Sequence, residues 1–281
     1  MKNKIIYLLG AGRSGTTLLA SALHTHPNIQ TVGELHQFFE YYFDNKSCSC
    51  GSVLDACMFW KEIIKEIRFS HVSNENYRSI EKKHNHRYIL NYLLSNHNSR
   101  DYIKANEEVF SAIRKATSST WMLDSSKYIA RYLLLRKSNK NEIKGVFLVR
   151  DVRGVIHSFK KKVQTPRSPF SSLIYYLLIN TIGELIARMD KNIIKIRYED
   201  FINNPNKTLE RIYEHVFNFK ETALLSKEIK TPHFIGGNRL VSKNQIKISQ
   251  KISWRQEMKR SHQLLYYMLS LPLLIVNKYK M

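Results

Sequence analysis

The chain has 281 residues, with 45 Lys and Arg against 23 Asp and Glu, a formal net charge of +22 at pH 7. Its 43% hydrophobic and 11% aromatic content excludes a disordered chain, and the length fits one sizeable α/β domain with a real core. The charge points to polyanionic ligands or acidic acceptors, although a lysine-rich solvated surface accounts for part of it; no zinc-finger spacing, RNA-recognition aromatics or basic arm supports nucleic acid as partner.

Met1-Lys2-Asn3-Lys4 followed by Ile5-Ile6-Tyr7-Leu8-Leu9 faintly imitates a secretory leader. The apolar run enters a glycine turn directly, leaving no cleavage-site segment, so it reads as a first strand and the protein as cytoplasmic. No run approaches the roughly 20 apolar residues of a membrane span. Gly10-Ala11-Gly12-Arg13-Ser14-Gly15-Thr16-Thr17 comes next, and then an apolar helix with Leu18, Leu19, Ala22 and Leu23. Strand, glycine turn and helix aim backbone N–H groups and the positive helix end at one anion. The spacing copies the triphosphate loop G-x-x-x-x-G-K-[ST], but Thr16 stands where that loop needs Lys. An anion is expected, and a triphosphate with Mg²⁺ is disfavoured.

A second apolar run at 29–32 leads to Glu34 and His36. Cys48, Cys50 and Cys57 follow, in a C-x-C-x6-C spacing that lacks the usual paired zinc ligands. An odd count in a cytosolic chain also argues against a disulfide framework. The cysteines read as a structural loop with no metal expected, a metal or redox site being the alternative. Residues 60–119 are long, polar and helical, with amphipathic patterns at 58–67, 86–97 and 106–117; they read as an insertion capping the sheet.

Apolar runs at 120–124, 143–149 and 192–197 alternate with helical patterns at 127–137, 152–163 and 168–189. The first of these strands ends in Asp124-Ser125-Ser126-Lys127. The second delivers Arg150, and helix periodicity returns Ser158 to the same side two turns later, where guanidinium and hydroxyl can pinch a phosphate. An Arg150–Asp151 ion pair at the helix start is the alternative. Alternating strands and helices predict a P-loop-like, mainly parallel sheet with helices on both faces. Ligands then bind beyond the carboxyl ends of the strands, where the Gly10 loop, Glu34, His36, Lys127 and Arg150 all fall. Beyond residue 230 the chain reads as loop. An apolar helix at 263–276, kinked near Pro272, closes a C-terminal extension over about 250–281; it reads as core packing, with contact at a membrane surface as the alternative.

Arg13-Ser14-Gly15-Thr16-Thr17-Leu18-Leu19 with His26-Pro27, Leu148-Val149-Arg150-Asp151 with Ser158, and Arg197-Tyr198-Glu199-Asp200-Phe201 together resemble the sulfotransferases that use 3'-phosphoadenosine 5'-phosphosulfate (PAPS). The resemblance runs from residue 4 to about 217, and more loosely to Trp254-Arg255. It is nearer to the bacterial, carbohydrate and tyrosylprotein branches than to the small-phenol and steroid branch, and residues 46–60 also resemble a segment of bacterial members. The resemblance implies that Gly12, Arg13, Ser14, Gly15, Thr16 and Thr17 hold the 5'-phosphosulfate, with Arg13 along the sulfuryl group. It implies that Arg150 and Ser158 hold the 3'-phosphate and that Tyr198 approaches the adenine. Glu34, 21 residues after Arg13, matches the catalytic glutamate of two branches and is expected to be the general base, with His36 as runner-up. Lys127 resembles the lysine that stabilises the transition state, a solvated helix-start lysine being the alternative.

The chain departs from the family in two places. Val152 replaces a common proline after Arg-Asp, and the closing K-G-x-x-G motif is absent, leaving Arg239 of Gly236-Gly237-Asn238-Arg239 as a candidate cofactor contact. The expected activity is transfer of a sulfuryl group from PAPS to a hydroxyl of a carbohydrate, glycolipid or other acceptor, without a metal. A nucleotide-binding protein or kinase-like enzyme with a degenerate loop is the alternative.

Overall fold

Each of the five apolar runs becomes a strand in the computed structural model: β1 (Asn3–Leu9), β2 (Ile29–Gly33), β3 (Trp121–Lys127), β4 (Asn141–Val149) and β5 (Ile193–Arg197). The structure describes residues 2–67, 74–94, 100–138, 140–161, 166–226, 228–237, 240–241, 244–250 and 252–281. The strands form one parallel sheet in the order β2-β3-β1-β4-β5. β1 lies at its centre, so Ile5, Ile6, Tyr7 and Leu8 are buried on both faces. That double burial is why the run carries no polar alternation.

One face packs Tyr7, Leu9 and Phe147 against Trp60, Phe110 and Ile113 of the 60–119 insertion. The other packs Ile6, Leu8 and Leu148 beneath the helix Thr16–Leu23, which supplies Leu19, and Pro205–Phe217, which supplies Ile212. A third cluster sets Val152, Ile156 and Tyr176 against Leu273 and Leu274 of the C-terminal extension. The C-terminal helix is broken as expected: Arg260–Leu269 ends before buried Ser270, and Leu271–Val276 carries Pro272 in its first turn, where a missing N–H costs nothing.

Three elements differ from the sequence reading. The helix Pro169–Met189 is long and apolar enough to cross a membrane by length and composition. In the fold it buries Leu173, Tyr176, Ile179 and Gly183, and Gly183 approaches Phe147 so closely that a Cβ would lie 2.5 Å from its ring. The region past residue 230, expected as loop, contains β7 (Gln245–Lys247), which pairs antiparallel with β6 (Glu228–Lys230) just before that region; three residues per strand are too few to show a period. Finally, the helix expected at 106–117 begins at Arg100, because its polar first turn hides the period.

Candidate active site

β1 sits between β3 and β4, so its carboxyl end opens on the crevice where the strand order reverses. Gly10 leaves the strand at φ +144°, so close to β4 that a Cβ would stand 2.5 Å from the Leu148 carbonyl oxygen. Gly15, at φ +100°, lies against Tyr198, whose Cε2 a Cβ would approach to 2.6 Å. Both turns therefore require glycine. Between them, Arg13 holds φ 71°, and the Gly12 amide donates to the Tyr175 hydroxyl at 2.7 Å.

Arg13 is the hub of the loop. Its Nε donates to Ser158 Oγ at 3.0 Å, and its carbonyl accepts from Arg150 Nη1 at 2.9 Å. The Arg150 guanidinium stacks on the Tyr198 ring, 4.3 Å from its centre. The structure thus gathers Arg13, Gly15, Arg150, Ser158 and Tyr198 at one place, with Arg13 standing between the two residues expected to pinch a phosphate. Asp151 does not pair with Arg150. It caps the helix Val152–Lys160 and forms a buried fork with Arg153, 2.9 Å from Nε and 2.6 Å from Nη2, which leaves Arg150 turned toward the loop.

These residues fit a phosphorylated donor. Ser14 Oγ and Arg150 Nε are buried with no partner, beside a helix whose N-terminus has neither a side-chain cap nor an acid in its first turn. Buried donors without acceptors are costly, and an anion at a helix N-terminus satisfies such groups.

The second half of the site comes from the ends of β2 and β3. Gly33, at φ +83°, lies against residue 235, since a Cβ would fall 2.6 Å from the Ile235 nitrogen. The Glu34 amide then donates to the Ile235 carbonyl at 2.7 Å. One carboxylate oxygen of Glu34 forms an ion pair with Lys127, and the other accepts from Gln37 Nε2 at 3.1 Å. Lys127 reaches across from φ 71°, a left-handed conformation that non-glycine residues adopt uncommonly. Its Nζ also donates to the Ser125 carbonyl at 3.3 Å. His36 Nε2 stands 3.9 Å from Glu34. Burial, then the charges of Lys127 and Arg131, drive the His36 imidazole well below its ordinary range. His36 is therefore neutral at pH 7.

Asp124 builds this turn from behind. Its Oδ1 accepts from the amides of Leu35 at 3.3 Å and Ser126 at 2.9 Å, and Ser126 Oγ accepts from the His36 amide at 3.0 Å. Its Oδ2 faces the Arg131 guanidinium at 3.2 Å, and both side chains are fully buried.

Arg13, Thr16, Thr17, Glu34, His36 and Lys127 line one cavity of about 260 Å³. Asn85 and His86 from the insertion and Phe159, Arg167 and Tyr175 close it. The sequence places the acceptor walls in the 60–119 insertion and the 160–175 loop with Arg167, and Asn85, His86, Arg167 and Tyr175 come from those segments, whereas Phe159 carries no local signal that would have found it. A second cavity of about 400 Å³ adjoins it, sharing His36, Gln37, Asn85 and Tyr128 and adding Glu40, Arg78, Glu81 and Lys82. Arg239 lies outside the described residues. Away from the cleft, Cys48, Cys50 and Cys57 gather with His233, their donor atoms all within 4.8 Å of one another, a fourth donor that the C-x-C-x6-C spacing did not reveal.

Residues 6–216 match the sulfotransferase family. The chain belongs to that family. Its fold is similar to the sulfotransferase domain of the Synechococcus PCC 7002 olefin synthase, with 17% identity and a TM-score of 0.58, covering 100% of this chain and 97% of that one. It is likewise similar to the sulfotransferase domain of the curacin biosynthetic pathway, with 15% identity and a TM-score of 0.59, covering 99% and 98%. No curated protein matches this sulfotransferase.

Proposed function

We propose that this sulfotransferase takes its sulfuryl group from PAPS and delivers it to a hydroxyl of a carbohydrate or glycolipid, with Glu34 as general base. The observation that carries the reading is one cavity holding both a Glu34–Lys127 pair and the Arg13–Thr17 loop, beside two buried donors without acceptors. Gly12, Ser14, Gly15, Thr16 and Thr17 would hold the 5'-phosphosulfate end. Arg150 and Ser158 would hold the 3'-phosphate, and Tyr198 the adenine. The donor supplies an activated sulfuryl group bearing a phosphate leaving group.

Transfer of this kind develops charge on oxygens, so cations positioned in advance lower the barrier. Arg13, Lys127 and Arg167 are cations that line the cavity with Glu34. The acceptor hydroxyl must lose a proton as it attacks; Glu34, oriented by Gln37 and Lys127, takes it on its carboxylate. His36 is largely enclosed and held neutral beside that carboxylate. The adjoining cavity, with its carboxylates and cations, suits a polar, hydroxyl-rich acceptor. A cytoplasmic location belongs to this reading, in keeping with three free thiols. So does contact of the C-terminal helix with a lipid surface, supported by its exposed Leu264, Leu265, Met268, Leu269 and Ile275.

Two measurements test the reading. Calorimetry should give tight binding of adenosine 3',5'-bisphosphate and none of ATP with Mg²⁺; the reverse would point to a kinase-like enzyme with a degenerate loop. Glu34→Gln should lower turnover about 10²- to 10⁴-fold, the span of general base catalysis, while His36→Ala keeps most of it. Near-normal turnover of the glutamine variant removes Glu34 from the role.

A further inference from the structure

The cysteine segment is unexplained by sulfuryl transfer. Cys48 and Cys50 sit on a tight hairpin: Ser47 and Val53 form an antiparallel bridge, the Cys48 amide donates to the Ser52 carbonyl at 2.8 Å, and Gly51 turns the chain at φ +88°. A Cβ at Gly51 would meet nothing within 4 Å, so the glycine is there for its backbone angle. Cys57 stands at the N-terminal boundary of the helix Met58–Lys65, its carbonyl accepting from the Lys61 amide at 2.8 Å. His233 arrives from 176 residues away and presents Nδ1 to the thiols, 3.2 Å from Cys57 Sγ and 3.7 Å from Cys48 Sγ. Cys50 and Cys57 place their sulfurs 3.7 Å apart.

These separations have a specific meaning. A disulfide needs about 2.05 Å between sulfurs. With Zn–S near 2.3 Å and Zn–N near 2.0 Å, a tetrahedral site has edges of about 3.8 Å between sulfurs and about 3.5 Å between sulfur and nitrogen. The Cys50–Cys57, Cys48–His233 and Cys57–His233 separations stand within a few tenths of an ångström of those edges, and all four donors lie within 4.8 Å of one another, a span that leaves no room for the bridging sulfides of an iron cluster. Three sulfurs and one imidazole in this arrangement select a zinc-like ion over Mg²⁺ or Ca²⁺.

The surroundings are built to hold it. The Cys50 amide hydrogen-bonds to Cys48 Sγ and the Ser52 amide to Cys50 Sγ, which orients both sulfurs. Phe59 stacks on the His233 ring at 5.7 Å, and the Trp60 indole donates to the His233 carbonyl at 3.3 Å. We propose that Cys48, Cys50, Cys57 and His233 form a structural zinc site that staples the 47–60 segment to the chain at 232–237. On binding, the thiols give their protons to solvent and no redox change occurs.

The position of the staple gives it a purpose. Two residues beyond His233, Ile235 bonds both sides of Gly33: its amide donates to the Val32 carbonyl at 3.2 Å and its carbonyl accepts from the Glu34 amide. Gly237 lines the catalytic cavity. The metal would fix the backbone that carries Glu34 without touching the reacting atoms.

Metal content tests this independently of sulfuryl transfer. Full-length protein purified under reducing conditions should carry one zinc per chain, retained through gel filtration with EDTA and released when a mercurial modifies the thiols. Replacement by cobalt should give the visible bands of a tetrahedral ion and a thiolate-to-cobalt charge-transfer band. Zinc removal should raise hydrogen exchange at the amides of Glu34 and Ile235 while leaving the centre of β1 protected. His233→Ala and Cys50→Ser should each lose stoichiometric zinc. If either variant fails to fold, the wild-type cobalt spectrum still decides. Wild-type protein that holds no zinc when supplied with excess metal, an octahedral cobalt spectrum, or full zinc retention in both folded variants overturns the site.

Discussion

Asp124→Asn separates the support of the catalytic turn from its chemistry. The carboxylate accepts from Leu35 and Ser126 on one oxygen and faces Arg131 on the other, with both partners fully buried. Asparagine keeps the shape and one acceptor. If that acceptor serves the Leu35 and Ser126 amides, its NH₂ meets the guanidinium, donor against donor. Breaking one side of a buried ion pair typically costs 3–5 kcal/mol. Glu81 softens the loss, since it lies 3.7 Å from Arg131, and its carboxyl is pushed up to about 8, chiefly by burial and in part by the Asp124 charge. Without Asp124, Glu81 ionises more readily and compensates Arg131, so about 3 kcal/mol is expected. At roughly 2–3 °C per kcal/mol for a chain of this size, the melting midpoint falls by about 6–9 °C. Urea unfolding followed by tryptophan fluorescence measures the free energy. Turnover should fall about 10- to 100-fold as the Glu34 turn loosens, with affinity for adenosine 3',5'-bisphosphate unchanged, because the amides that Asp124 holds belong to Leu35 and Ser126. Stability within about 0.5 kcal/mol of wild type, the range of an ordinary surface change, would refute the reasoning.

Three further outcomes follow from the geometry. Gly15→Ala forces a Cβ into the Tyr198 ring at φ +100°, and calorimetry should show loss of bisphosphate binding; retained affinity would mean that the ring yields freely. Lys127→Ala should lower kcat more than it raises KM for the donor, whereas a change in KM alone would leave the lysine with a binding role only. Stability should depend on pH in two opposing ways. Glu81, held near 8 when folded against about 4.5 in an unfolded chain, keeps a proton that the unfolded state has lost, so stability falls as pH rises through that window. His36, largely enclosed, is held well below 6.5, and buried His86 at about 3. The unfolded chain takes up those protons first, so stability falls as pH drops below about 6.5. Urea midpoints across pH should show both limbs, and Glu81→Gln should flatten only the upper one.

Much of this was legible in the sequence because it is local. Five apolar runs gave five strands, and Gly10 to Thr17 announced a glycine turn between a strand and a helix. Glu34, Lys127 and Arg150 were placed on one sheet edge by counting strand ends. The Arg13–Ser158 contact was not legible, nor was the choice of Arg153 over Arg150 as partner of Asp151. Both depend on side-chain directions set by neighbouring helices.

The sequence by itself determined the fold class, the glycine turn between β1 and the first helix, and the family, since each is written in short spacings whose period or glycine pattern survives without context. Only the tertiary structure decided which groups meet. It set Lys127 on Glu34, ran Arg131 behind Asp124, and brought His233 to three cysteines 176 or more residues away. The physical reason is the range of the forces. Backbone propensity and burial pattern act over one or two turns, whereas charge pairs and ligand clusters form wherever packing brings distant segments together.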